Sequence, residues 1–490
     1  MARKIQLIIS AYLISLTAIF AIGCNPALNR VGLAQIASLT ALHPLTLTTP
    51  VNNVNPVNTV THLTGATGRA GHTVTALPNG KVLIVGGVST FTDAYTSDYT
   101  TILGTAFLFD PINSSFTATG SLLTPRTEHL AVYIPGVNKV LVVGGISGAA
   151  PIYTTTVETY DVATGLWSAA NSMVNGSRVN ASITYVPSLG KVLVVGGSNN
   201  GSSCGQAIAE LYDPVANSWA NTTNAPNARY QYHDAIVLNN GKILLGGGDM
   251  LNVGRCAPPM PGGNSTFGLF DPSTQTWASG GNQTAVFWYG RFHALSNGTV
   301  VIYARCAGLW CTQNDTRSYD PVTNSWATNT FPAPIPASNR FGEASVMLAN
   351  DVIYRIGGMG GATSGGGGAN VDSTNIFTYT HSTDTWVNSA LTLGTAVHNL
   401  QAVKANAGIF AFGGIDATFA GKNNYFLYQP YNPIALVTAG GTGPFTYAVT
   451  SGNGTVNIDT GVFYPGVAET ATITVTDSLG ATATVNVTSN

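Results

Sequence analysis

Charge is scarce in this sequence. Lysine and arginine total 19 and aspartate and glutamate 21 among 490 residues, a charged share of 8% where soluble domains carry about 25%. The net charge of −2 gives no reason to propose nucleic acid or an anionic membrane surface as a partner. The shortage does not mean disorder, because 44% of the residues are apolar and strand patterns are plain. Long apolar runs are missing too. The longest, Leu7 to Ile22, is 16 residues and too short to cross a bilayer comfortably. No phosphate loop, Ser-His-Asp spacing or carboxylate pair stands out. Cysteines number only five, at 24, 204, 256, 306 and 311.

What the sequence does have is a repeat. Lys81-Val-Leu-Ile-Val-Gly86-Gly87 returns as Lys139 to Gly145, Lys191 to Gly197, Lys242 to Gly248, Val352 to Gly358 and Gly408 to Gly414. The first glycines of the pairs stand 58, 52, 51, 110 and 56 residues apart. The doubled gap hides a further copy at Thr299-Val-Val-Ile-Tyr-Ala304-Arg305, in which the glycines are replaced. An uninterrupted apolar run ending in glycine fits a strand buried on both faces.

Two more landmarks accompany each run. After it comes an aromatic, usually an Asp-Pro turn, and a second aromatic seven residues on: Phe109/Phe116, Tyr160/Trp167, Tyr212/Trp219, Phe270/Trp277, Tyr319/Trp326 and Tyr379/Trp386. Before it come Arg69-x-x-His72, Arg126-x-x-His129, Arg178-x-x-Ala181, Arg229-x-x-x-His233 and Arg340-x-x-Glu343, with His398 read as the seventh member lacking its arginine. Each opens a strand that turns at Asn-Gly or similar into the diglycine strand. Four strands per unit follow, and such units must stack to bury their faces.

These three landmarks resemble kelch repeats, which implies an all-β fold: a seven-bladed kelch β-propeller over residues 58–430. The seventh unit lacks a fourth strand, and Thr59 to Leu63 is expected to supply it and close the ring. Residues 431–490 change character, with short runs of period-two alternation. They resemble small Ig-like or cadherin-like modules, a β-sandwich appended to the propeller. Asp459 and Asp477 there read as turn formers rather than calcium ligands, since nothing nearby supplies the oxygens that calcium takes.

The N-terminus carries a targeting signal over residues 1–23. Arg3 and Lys4 precede the apolar run, and Ala21-Ile22-Gly23-Cys24 resembles a bacterial lipobox, which implies a lipid on Cys24 and a bacterial cell-envelope location. Residues 24–57 read as a tether, with a short helical turn left open at Leu33 to His43. The other cysteines fall in loops after diglycine strands of successive units. Disulfides Cys204–Cys256 and Cys306–Cys311 are expected, and zinc is not.

The ring of inner-strand Arg and His residues reads as part of the repeat, each arginine bonding nearby backbone. Tyr232-His233 resembles the copper-binding pair of galactose oxidase, itself a kelch propeller. The resemblance stops there: no histidine follows His398 and no cysteine lies on an inner strand, so no metal or other cofactor is expected. The loops that follow the diglycine strands vary in length and carry aromatics, whereas the opposite turns are uniform. A protein or glycan ligand is therefore expected on the variable face, at Trp288, Tyr289 and Trp310 with Tyr95, Tyr99 and Tyr153. The link Phe287 to Tyr289 is placed on that side. The leading expectation is a monomeric binding module. The second is a carbohydrate-active enzyme of the galactose-oxidase or sugar-mutarotase type.

Overall fold

The computed structural model describes residues 45–49, 53–54, 59–64, 66–90, 101–148, 152–198, 206–226, 233–248, 264–306, 315–328, 339–348, 351–361, 371–406, 408–416, 418–430, 434–452, 454–456, 458, 461–465 and 469–489. Among them are strands and two single-turn 3-10 helices, Pro135–Val137 and His381–Thr383. Leu33 to His43 lies outside the described residues.

The repeat folds into antiparallel four-stranded meanders. The first unit comprises Thr73–Ala76, Val82–Val85, Ala106–Asp110 and Ser115–Thr119. Leu130–Ile134, Lys139–Val143, Val157–Asp161 and Trp167–Ala170 make the second, and the third runs from Ser182–Val186 through Lys191–Val195 and Ala209–Asp213 to Ser218–Asn221. The sixth unit comprises Ala344–Met347, Val352–Ile356, Asn375–Thr380 and Thr385–Thr392. The fourth and fifth units merge. They share one seven-stranded sheet because Thr276–Ala294 serves as the outer strand of one and the inner strand of the next.

Period-two alternation explains why each diglycine strand is apolar throughout. Val140 and Val142 pack with Leu83 and Val85 of the first unit, while Leu141 and Val143 pack with Val192 and Val194 of the third. One strand thus feeds two inter-sheet cores, and all four residues are fully buried. The aromatic pairs stand directly opposite one another on the third and fourth strands, with ring centroids 5.2 Å apart at Tyr160/Trp167 and 5.0 Å at Tyr212/Trp219. Each tryptophan also ties its unit to the one before. The indole N–H of Trp167 donates to Gly120 O at 2.7 Å, and those of Trp219 and Trp326 donate to Asn171 O and Gly280 O.

Inner strands neighbour one another in chain order around an axis, and that of the seventh unit, Gln401–Ala405, returns to Thr73–Ala76. The seventh unit continues with Gly408–Phe412 and Asn424–Gln429. Its outer strand is Thr59–Thr64, paired over six residues from Thr59 opposite Gln429 to Thr64 opposite Asn424. The fold is a β-propeller, closed by a strand from the N-terminal side.

The diglycines turn the chain where neighbouring backbone leaves no room. Gly145 has φ +92°, and a Cβ there would lie 2.6 Å from Thr127 O. Left-handed backbone costs a substituted residue about 1–2 kcal/mol, and the clash adds a similar amount. Gly145→Ala is therefore expected to destabilise by about 2–4 kcal/mol in urea unfolding, whereas Gly136→Ala, with no atom near its added methyl, should change little. In the fifth unit Ala304 and Arg305 replace the pair, and the strand runs on to Cys306 instead of turning.

Two parts of the sequence reading need correction. The tether reading fails at Thr46–Thr48 and Asn53–Val54. Thr46–Thr48 pairs antiparallel with Val437–Ala439, and Asn53–Val54 pairs parallel with the C-terminal strand Thr482–Ser489. Leu47 is buried with Ile434, Phe463 and Ile473 in the C-terminal core, so that module takes strands from both ends of the chain. The reason is alternation: a Thr-Leu-Thr triplet presents one apolar side chain to a core. The second correction concerns Phe287 to Tyr289, which is no open link. Its β-branched and aromatic run, Thr284 to Tyr289, continues the strand, with Phe287 opposite Cys306 and Trp288 opposite Arg305.

In the C-terminal module, Asp477 accepts the backbone N–H groups of Thr442, Leu479 and Ala481, the bonding of a turn former. Asp459 lies outside the described residues.

Candidate ligand-binding site

The arginines that precede the inner strands are structural clamps. Arg126 is fully buried and donates to Gly144 O and Thr156 O, each at 2.9 Å, and to Glu158 Oε1 at 2.6 Å. Glu158 also accepts the N–H groups of Leu123 and Thr124. Arg178 and Glu210 repeat the arrangement, with Glu210 accepting from Val174 and Asn175. In the first unit Phe107 takes the place of the glutamate, and the Arg69 guanidinium lies 5.1 Å from its ring centroid. With no acid to offset burial, Arg69 is drawn down to about 10 and stays protonated at neutral pH. Sequence reasoning missed these glutamates. The available signal was Glu two residues before the third-strand aromatic in Glu158-Thr-Tyr160 and Glu210-Leu-Tyr212.

The histidines staple neighbouring inner strands. His129 Nε2 meets Thr73 Oγ1 at 2.9 Å, His233 Nε2 meets Ser182 Oγ at 3.1 Å, and His293 Nε2 meets Ser345 Oγ at 2.5 Å. Burial holds all three at about 3, with nearby Arg126 and Arg291 adding to the effect at His129 and His293. They are neutral at physiological pH, and so weak a base makes the His293–Ser345 pair a poor nucleophile couple. Because the folded state holds them neutral while the unfolded chain protonates near 6.5, stability is complete above that pH and falls as pH drops toward about 3. Each such histidine should cost about 1.4 kcal/mol per pH unit within that window. Urea unfolding at pH 7, 6 and 5 reads the slope, and His129→Gln should lower it by about 1.4 kcal/mol per pH unit.

His398 is not the seventh member of this series. It bridges Ile415 as Thr127 bridges Ile146, and Leu400 packs against Gly414 as His129 packs against Gly145. His398 therefore aligns with Thr127, one place after the arginine, and its Nδ1 meets Asp372 Oδ1 at 2.6 Å.

The axis holds a cavity of about 390 Å³, lined by the inner strands of the fourth to seventh units. Its walls include Phe292, His293, Ser345, Met347, Val403 and Lys404. Behind the His293–Ser345 staple the repeat is broken at three positions. Tyr303 stands where the first three units have Val85, Val143 and Val195. Arg355 replaces Ile84, Val142 and Val194, and Glu343 replaces His72 and His129. Alternation sends Tyr303 toward the sixth unit and Arg355 toward the fifth, so they meet: Arg355 Cζ is 5.6 Å from the Tyr303 ring centroid. Glu343 pairs with Arg355 Nη2 at 2.5 Å, and the His293 ring stacks on Tyr303 at 6.1 Å. Burial, then the Glu343 charge, pushes the Tyr303 phenol up. Burial likewise pushes up the nearby Asp234 carboxyl, against the pull of Arg291.

The variable face carries structure of its own. Ile146–Ser147 and Ile152–Tyr153 form a hairpin beyond the second diglycine, with Tyr153 opposite Ile146. Asn339–Phe341, Met359–Gly361 and Val371–Asp372 form a three-stranded sheet. Between Trp288 and Arg291 a register shift places Tyr289 in a bulge within the strand Thr276–Ala294. Cys306 ends the neighbouring strand, Val300–Cys306, rather than lying in the following loop. Tyr95, Tyr99, Trp310, Tyr232, Cys24, Cys204, Cys256 and Cys311 lie outside the described residues. No group of three His, Cys, Asp or Glu side chains suited to a metal occurs among the described residues. His233 Nε2 is engaged by Ser182 and by Val195 O at 3.1 Å.

Residues 138–174 match the Kelch motif. Among solved structures, a fungal alcohol oxidase of the AA5 family, in complex with copper, is similar over 88% of this chain and 100% of its own, at 14% identity and a TM-score of 0.53. YjhT is similar over 65% of this chain and 98% of its own, at 18% identity and a TM-score of 0.47. No curated protein matches the chain. With the repeat and its sheets, the motif identifies the scaffold as a kelch-type β-propeller. At these identities the likeness concerns fold alone.

Proposed function

We propose that this protein is a lipid-anchored bacterial envelope protein that binds a glycan or an uncharged protein surface through the variable face of its propeller. The observation that carries this reading is the difference between the two faces. One is closed by tight turns of constant spacing. The other bears an added hairpin, an added three-stranded sheet and an extended, bulged strand. Elaboration on one face of a rigid scaffold is how binding surfaces are built. Scarce charge suits a neutral partner. Cys24 would carry the lipid, and the C-terminal module would act as an Ig-like spacer.

Arrays of neutral glycans and extracts of envelope proteins supply the ligand search. Alanine at Trp288, Tyr289 and Trp310 together is expected to weaken capture at least tenfold with the melting temperature nearly unchanged. Capture that survives the triple substitution, or that is lost through changes in the Asp-Pro turns instead, assigns binding to another face. Mass spectrometry of membrane-extracted protein should show a diacylglyceryl group on Cys24, and an N-terminus that starts elsewhere without lipid removes the anchor from the proposal.

A further inference from the structure

The three repeat-breaking positions between the fifth and sixth units act together. In the first three units the corresponding second-strand positions are apolar, so this layer has exchanged hydrophobic packing for a tyrosine and an arginine–glutamate pair. Arg355 is 2% exposed and Tyr303 1%. Glu343 Oε2 lies against Arg355 Nη2 as an ion pair, but among the described residues Arg355 Nε and Nη1, the Tyr303 hydroxyl and Glu343 Oε2 itself have no hydrogen-bond partner. Ser345 lies beside that hydroxyl without bonding geometry. Buried donors without acceptors are costly, and three side by side behind the cavity wall invite a ligand that brings acceptors.

The pocket adjoins the axial cavity. Ser345 stands directly opposite Arg355 in the strand register, so the two side chains share a face, and Ser345 and His293 both line the cavity. Charge there favours a single negative group. Arg291 adds to Arg355, while Glu343 is paired with Arg355 and burial pushes the Asp234 carboxyl up. A dianion would face Glu343 across Arg355. The remaining wall is apolar, with Ile236, Phe292, Val346 and Val403, and a volume of about 390 Å³ admits a short hydrocarbon body.

We propose that this pocket binds a small monocarboxylate, its head received by Arg355 and the Tyr303 hydroxyl and its apolar body lodged in the axial cavity. Entry is past Ser345, whose hydroxyl leaves His293 to admit the head group. The site is distinct from the variable face and stands or falls separately from it.

The test is calorimetric titration of the full chain with straight-chain monocarboxylates from acetate to hexanoate, with chloride at equal ionic strength and the matching primary amides as controls. Saturable binding that tightens with chain length and is absent with chloride and amides is expected. Tyr303→Phe should weaken it about tenfold and Arg355→Met abolish it, with circular dichroism unchanged. Should Arg355→Met fail to fold, Tyr303→Phe decides the matter, since a merely structural hydroxyl would leave carboxylate affinity where it was. Carboxylates that behave as chloride does, or unaltered affinity in Tyr303→Phe, overturn the proposal.

Discussion

Glu158→Ala is expected to destabilise the protein by about 3–5 kcal/mol, the usual effect of stranding one member of a buried ion pair. Both side chains of the Arg126–Glu158 pair are almost wholly buried, at 0% and 3% exposure. The substitution leaves the Arg126 charge inside the propeller and also deprives Leu123 and Thr124 of the acceptor for their N–H groups. Lys191–Asp213 provides the contrast. Its side chains are 34% and 27% exposed, and Lys191→Ala should cost less than about 1 kcal/mol. Urea unfolding of the two variants side by side measures the difference. Equal, small losses would mean that the clamp contributes nothing beyond an ordinary surface pair.

Removing residues 1–64 should have a larger effect still. It strips the six-residue strand Thr59–Thr64 from the seventh unit, leaving Asn424–Gln429 as an open edge. It also takes Leu47 out of the C-terminal core. Backbone hydrogen bonds at about 0.5–1.5 kcal/mol each and a buried leucine at about 2 kcal/mol put the combined loss at roughly 5 kcal/mol or more. An exposed edge recruits other chains, so size-exclusion chromatography should show larger species than the full chain gives. A truncated protein that elutes no larger than the full chain and melts within a few degrees of it would show that the ring holds without its closing strand.

Much of the fold was legible because the repeat prints its own geometry. Four apolar residues and two glycines mark a strand that must be buried on both faces and then turn, and the aromatics seven apart fall directly opposite each other across a tight turn. The missing fourth strand of the last unit pointed to Thr59 to Leu63 for the same reason. Other features leave no periodic mark. Glu158 and Glu210 lie 32 residues after their arginines and occur in only two units, so nothing local ties them to Arg126 and Arg178. A single leucine between threonines does not reveal which of two cores it joins. His398 fell out of register because a two-residue slip in a strand lead leaves no mark in sequence but exchanges a staple position for a contact with Asp372. The pocket at Tyr303 and Arg355 was half visible. The loss of the glycines at Ala304-Arg305 marked the fifth unit as unusual, but only the alternation of strands in space shows that Tyr303 and Arg355 face each other.

The route of the N-terminal segment has a mechanical side. A pull applied ahead of residue 45 meets the Thr46–Thr48 pairing first and the Asn53–Val54 pairing next, and only then the Thr59–Thr64 strand that closes the ring. Under such a pull the C-terminal module would stand in series with the propeller. Ladders of three and two residue pairs would then part before the six-residue strand that closes the ring.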